Sequence, residues 1–219
     1  ILGDVVGQIA GDAATVEVVI PNGQDPHEFS ASAHDIEQMR DATMVVANGL
    51  DLEEGLVDAI DQVESDGVPV FRATDHVTVR HLGEGEAAES HEDGHEHGGD
   101  DPHIWTDPLT LAELAPALGD ALGAALAVDL SARVDAFVEE MGALDTEVRD
   151  IMSAVPPGRC TLVTGHDSLG YFADRYGCTI VGAIVPSLSS NAEASAKDLA
   201  DLADAIDETG ASAIFTEVG

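Results

Sequence analysis

The chain is expected to adopt an α/β fold, two lobes with parallel sheets joined by a long helix, and three observations lead there. Short apolar runs alternate with stretches of helical spacing, the rhythm of βαβ units. A charged, periodic stretch around residues 130–154 is long enough to link two such sets. Between them lies a segment almost without apolar residues, which interrupts the rhythm and cannot contribute to a core.

Ile1-Leu2-x-x-Val5-Val6-x-x-Ile9 repeats at helical spacing from the first residue. Thr15–Ile20 reads as a strand and leads into a polar loop containing Asp25-Pro26-His27. A helix is predicted from about Ala33 to Asp41, then a strand over Met44–Ala47 that stops at Asn48-Gly49. Leu52–Val63 has helical spacing, and Val68–Phe71 is a short strand. The segment 74–101 is rich in acids and histidines and reads as a solvated loop.

Helical spacing returns over Leu109–Ala127 and again from Leu130 to about Ala154, where Pro156-Pro157-Gly158 ends it. The rhythm then resumes with a strand at Cys160–Thr164, a helix at Ser168–Tyr176 and a strand at Thr179–Ala183. A capping box Ser190-x-x-Glu193 opens the last predicted helix, and Gly210 closes it before a strand over Ser212–Thr216. The expected domains are an N-terminal lobe at 1–127 with the loop 74–101, a connecting helix at 128–155, and a C-terminal lobe at 156–219. Both ends fall inside apolar elements, so the second lobe is expected to be incomplete and any signal segment to lie outside the sequence.

With 219 residues and 44% hydrophobic side chains, the chain can bury a substantial core. No run of 18 apolar residues occurs. The net charge of −35, with Lys197 the only lysine, repels phosphate backbones and anionic lipids and argues against a nucleic-acid partner. The acids are spread along the whole chain, which fits a salt-rich setting better than a cation-attracting field gathered at one site. Cys160 and Cys178 each open a strand-like run; they could bridge if those strands are parallel neighbours, or remain two buried thiols.

Three histidines stand out by context. His27 and His103 each end an Asp-Pro-His triplet, and proline stiffens the turn that carries the imidazole. His166 ends the apolar run Leu162-Val163-Thr164 in Gly165-His166-Asp167-Ser168, and ligands of open α/β sheets bind at the carboxyl ends of strands. Neutral imidazoles suit Zn²⁺, which takes nitrogen and sulfur ligands in a tetrahedron. Enzyme signatures are weaker: Gly165-His166-Asp167-Ser168 is not Gly-x-Ser-x-Gly, and no His-Glu-x-x-His helix supplies both ligands and a base, so a zinc hydrolase is the less favoured alternative.

Five stretches carry a more specific pattern: Asp25-Pro26-His27-Glu28-Phe29, Ala47-Asn48-Gly49-Leu50, Asp101-Pro102-His103-Ile104-Trp105-Thr106-Asp107-Pro108, Thr164-Gly165-His166-Asp167-Ser168-Leu169-Gly170-Tyr171-Phe172 and Ile214-Phe215-Thr216-Glu217. In this order, and over essentially the whole chain, they resemble the zinc/manganese solute-binding proteins of bacterial ABC importers. The resemblance implies two Rossmann-like lobes with the metal in the cleft between them, and no enzymatic activity. It implies a monomer outside the cytoplasm, periplasmic or lipid-anchored, that captures Zn²⁺ and delivers it to a membrane permease. His27, His103 and His166 are the implied first three ligands. Histidine rather than glutamate at the third position favours zinc, with an Mn²⁺ or Fe²⁺ receptor as the alternative. The family's fourth ligand is expected beyond Gly219, with Glu217 and Asp167 beside the ligands. His81, His91, His95 and His97 match the auxiliary zinc-collecting loop of zinc-type members.

Overall fold

In the computed structural model, which describes residues 1–82 and 99–216, the N-terminal repeat forms helix α1 (Leu2–Ala10) with Val5, Val6 and Ile9 buried. Helix α2 (Ala33–Asp41) opens on a capping box in which Ser32 and Asp35 satisfy each other's backbone N–H. Strand β1 (Val45–Ala47) pairs in parallel with β2 (Val70–Arg72), and α3 (Val57–Ser65) lies between them in sequence. Met39, Ala47, Leu56, Ile60 and Val63 form one buried cluster from these elements.

Two segments of this region depart from expectation. Thr15–Ile20 has no strand: Val19 and Ile20 pack partly on the cluster, but no described residue offers it a ladder. The helix expected over Leu52–Val63 starts late, as a 3₁₀ turn at Glu54–Leu56 followed by α3. Its beginning is blocked because Glu53 takes a non-helical ψ of 60°, directly after Gly49, Leu50 and Asp51 have turned the chain with left-handed φ of 93°, 51° and 55°.

Helix α4 (Pro108–Leu126) begins with proline, which suits a first-turn position where no N–H is needed. It is long and apolar enough to cross a bilayer by composition alone, yet it packs against α1 with Leu114 and Leu118 fully buried, as a core helix does. At Gly119 a Cβ would stand 2.2 Å from Val134, so glycine permits the close approach of the next helix, α5 (Ser131–Met152).

The described residues divide into two units, one made of 1–78 and 108–147, the other of 79–82, 99–107 and 148–216. Helix α5 runs through the second crossing point. Residues 79–82 and 99–107 therefore group with the C-terminal segment. The cause is local: the Asp101 N–H donates to the Arg80 carbonyl, and the Tyr171 hydroxyl donates to the Asp101 carbonyl.

In the second unit, β3 (Thr161–His166) and β4 (Thr179–Val185) pair in parallel, linked by α6 (Gly170–Tyr176). Cys160 and Cys178, one residue before each strand, are joined in a disulfide with their Cα atoms 4.6 Å apart, so the bridged alternative holds. The last helix, α7 (Ala196–Thr209), starts at a different capping box from the one expected. Ser195 and Asp198 form it, because Ser189–Ala192 is occupied by a turn of its own. Gly210 closes α7 in a left-handed conformation, as predicted. The strand expected over Ser212–Thr216 is reduced to one parallel bridge, in which Phe215 exchanges backbone hydrogen bonds of 2.8 Å with Val163 and Gly165.

Candidate metal site

The two Asp-Pro-His triplets fold into the same turn. Asp25 Oδ1 accepts the His27 N–H at 2.9 Å, and Asp101 Oδ1 accepts the His103 N–H at 3.0 Å. The intervening proline has no N–H to compete and a fixed φ, so the carboxylate reaches across to the residue two positions on.

Each imidazole is then aimed by a carboxylate. His103 Nδ1 lies 2.8 Å from Asp101 Oδ1, and His27 Nδ1 lies 3.3 Å from Glu54 Oε1. A carboxylate accepts, so Nδ1 carries the proton and Nε2 keeps its lone pair for a metal. Glu54 owes its place to the left-handed turn before it. Glu53 holds that turn by accepting the Asn48 N–H at 2.7 Å and the Gly49 N–H at 3.4 Å, and burial pushes its carboxyl above the usual range. Glu54→Ala is expected to weaken zinc binding about tenfold in a chelator competition. An unchanged affinity would mean that the His27 ring needs no such support.

His166 is the last residue of β3, in register with Val185 of β4. Its Nε2 lies 3.1 Å from His103 Nε2, with the two rings inclined at 63°. Zn–N bonds of about 2.0–2.1 Å in a tetrahedron set neighbouring nitrogens about 3.3 Å apart. The pair is therefore spaced almost as one edge of a zinc tetrahedron. Trp105 meets the His103 ring edge-on, with centroids 5.3 Å apart. His27, His103 and His166 are all buried, at 4%, 1% and 8% exposure, which is uncommon for three imidazoles.

The other residues singled out in the sequence behave differently. The Asp167 N–H donates to the Ser187 carbonyl at 2.9 Å, which fixes the backbone just after His166. His81 is exposed and pairs with Asp100 where the two ends of the acidic segment meet. His91, His95, His97 and Glu217 lie outside the described residues. Sequence reading missed Glu54 altogether, since nothing local links it to a histidine 27 positions away. The role of Asp101 had a signal, because aspartate two residues before an N–H commonly accepts from it.

The chain is similar to known metal-binding proteins over nearly its whole length. The chain is 27% identical over 99% of its length to a manganese-binding lipoprotein, MntA, of Halalkalibacterium halodurans, of which it covers 68%. It is 29% identical to a zinc-binding lipoprotein, AdcA, of Streptococcus pneumoniae, matching 96% of this chain and 42% of that protein. It is also 29% identical to the zinc-binding protein TroA of Treponema pallidum, matching 99% of this chain and 67% of that protein. The solved structure of the periplasmic zinc-binding protein TroA superposes with a TM-score of 0.83, covering all of this chain and 75% of that one at 27% identity. The family model for the zinc-uptake complex component A, periplasmic (ZnuA), matches residues 1–219, and the chain belongs to that family.

Proposed function

We propose that the chain captures Zn²⁺ outside the cytoplasm with the imidazoles of His27, His103 and His166, and passes it to the permease of an ABC importer. The observation that carries this reading is the buried His103–His166 pair, with Nε2 atoms 3.1 Å apart. Imidazoles suit Zn²⁺, whereas Mn²⁺ favours carboxylate and water oxygens, so three nitrogen ligands argue for zinc. Relatives named for zinc and for manganese both occur, which leaves the ligand chemistry to decide. Asp167 would sit beside the ligands without binding the metal, and His81, His91, His95 and His97 would gather zinc before capture. A fourth ligand, carboxylate or water, completes the tetrahedron.

No chemistry is performed on the cargo. Zinc exchanges its waters for imidazoles already held in place, which lowers the ordering cost of binding. A competition titration of Zn²⁺ against Mn²⁺ tests the choice of metal. Zinc should displace manganese, in the direction of the divalent affinity series; preferential retention of Mn²⁺ would refute the zinc assignment.

A further inference from the structure

Asp101 is wholly buried, and only one of its two carboxylate oxygens is used by the His103 turn. The other, Oδ2, has no hydrogen bond and lies 3.7 Å from the Arg80 guanidinium. Arg80 is itself 11% exposed and fastened on several sides. Its Nε donates to Asp174 at 2.9 Å, its backbone N–H donates to the Tyr171 hydroxyl at 2.9 Å, and its carbonyl accepts the Asp101 N–H at 2.8 Å. Burial raises the Tyr171 hydroxyl to about 12, so it remains a neutral donor to the Asp101 carbonyl at 3.0 Å. Gly170 makes the arrangement possible: a Cβ there would come within 2.5 Å of Asp101 Oδ2 and 2.7 Å of the Arg80 guanidinium.

We propose that Arg80 is a positioning residue for the metal site. Through Asp101 it holds the His103 imidazole with Nε2 presented for coordination, and Gly170 is the position whose missing side chain makes room for that contact. The inference rests on the proposed zinc capture by His103. Arg80 sits more than twenty positions before His103 and reaches its ring through the Asp101 carboxylate, which meets the guanidinium with Oδ2 and the imidazole with Oδ1. Without the guanidinium, the buried Asp101 charge loses its counter-charge and turns toward other donors, releasing the His103 ring.

The sign of the effect separates this role from a simple field. Removing a cation near the site would tighten Zn²⁺ binding if Arg80 acted only by repulsion. Removing a positioning residue loosens it, by about 10–100-fold. Zinc affinity and the visible absorption of the Co²⁺-loaded chain should therefore be measured in the parent, in Arg80→Met and in Gly170→Ala. The added methyl of Gly170→Ala crowds both Asp101 Oδ2 and the guanidinium and forces the pair apart while keeping every charge. Both variants are expected to bind zinc at least tenfold more weakly with an altered cobalt spectrum, and Arg80→Lys to recover part of the loss. Arg72→Met, which removes an equal charge from a pair with Asp61 and Glu64, should stay within about twofold of the parent. Tighter binding in Arg80→Met, or parental affinity and spectrum in both variants, overturns the proposal. A parent chain that fails to bind zinc would instead sink the capture reading on which it rests.

Discussion

Replacing His103 with alanine is expected to weaken Zn²⁺ binding by about 100-fold. Zinc held by four protein ligands gains roughly 10–16 kcal/mol, or about 3 kcal/mol per ligand. At 1.4 kcal/mol per factor of ten, losing one ligand gives about two orders of magnitude. Of the three proposed ligands His103 should show the cleanest loss, because its ring is held by Asp101 and faces His166 in the same unit. Isothermal titration of parent and variant measures it directly, and thermal denaturation gives an independent reading. A ligand at about 100 times its Kd stabilises the fold by about 2.7 kcal/mol, so a zinc-dependent rise in melting temperature should shrink sharply in His103→Ala. Equal affinity in the two proteins would remove His103 from the ligand set. A variant that melts early without zinc yet keeps the full zinc-dependent rise would give His103 a role in folding alone.

Breaking the Cys160–Cys178 bridge is expected to cost about 3 kcal/mol of stability. The closed loop is short, with a sequence separation of 18, and it contains α6 and the site segment after His166. The bridge ties the starts of β3 and β4, and Thr179 N–H donates to the Cys160 carbonyl at 2.8 Å beside it. In the unfolded chain this link removes conformations, and serine at both positions restores them. Urea unfolding of a Cys160→Ser, Cys178→Ser double variant, compared with the parent in the presence and absence of reductant, measures the difference. A loss below about 1 kcal/mol would show that the strand pairing holds its own register without the link. Such bridges persist in oxidising surroundings, in keeping with a family whose members work in the periplasm.

Those parts of the fold and site that depend on neighbours in sequence could be read from the chain. The Asp-Pro-His turns, the strand-end position of His166 and the α/β rhythm all follow from residues a few positions apart. Choices between equivalent local signals could not be settled that way. Ser190 and Ser195 each precede an acid by three residues, and only the turn at Ser189–Ala192 decides which serine caps α7. Ladder formation also escapes local reading: Thr15–Ile20 has strand-like composition but no partner among the described residues. Glu54 and Arg80 are invisible for a related reason. Each meets its target across more than twenty residues of chain, and nothing in the intervening sequence announces the meeting.

The 3.1 Å separation of the His103 and His166 Nε2 atoms carries one more consequence. Two ring nitrogens in hydrogen-bond reach need one N–H and one lone pair between them. With the His103 Nδ1 proton committed to Asp101, the His166 Nε2 supplies that N–H. A metal needs both lone pairs, so it can bind only once the His166 proton has left Nε2, a change of tautomer for a neutral ring. Loading then exchanges one link for another at fixed geometry: the hydrogen bond that joins the two rings gives way to a cation that bridges them.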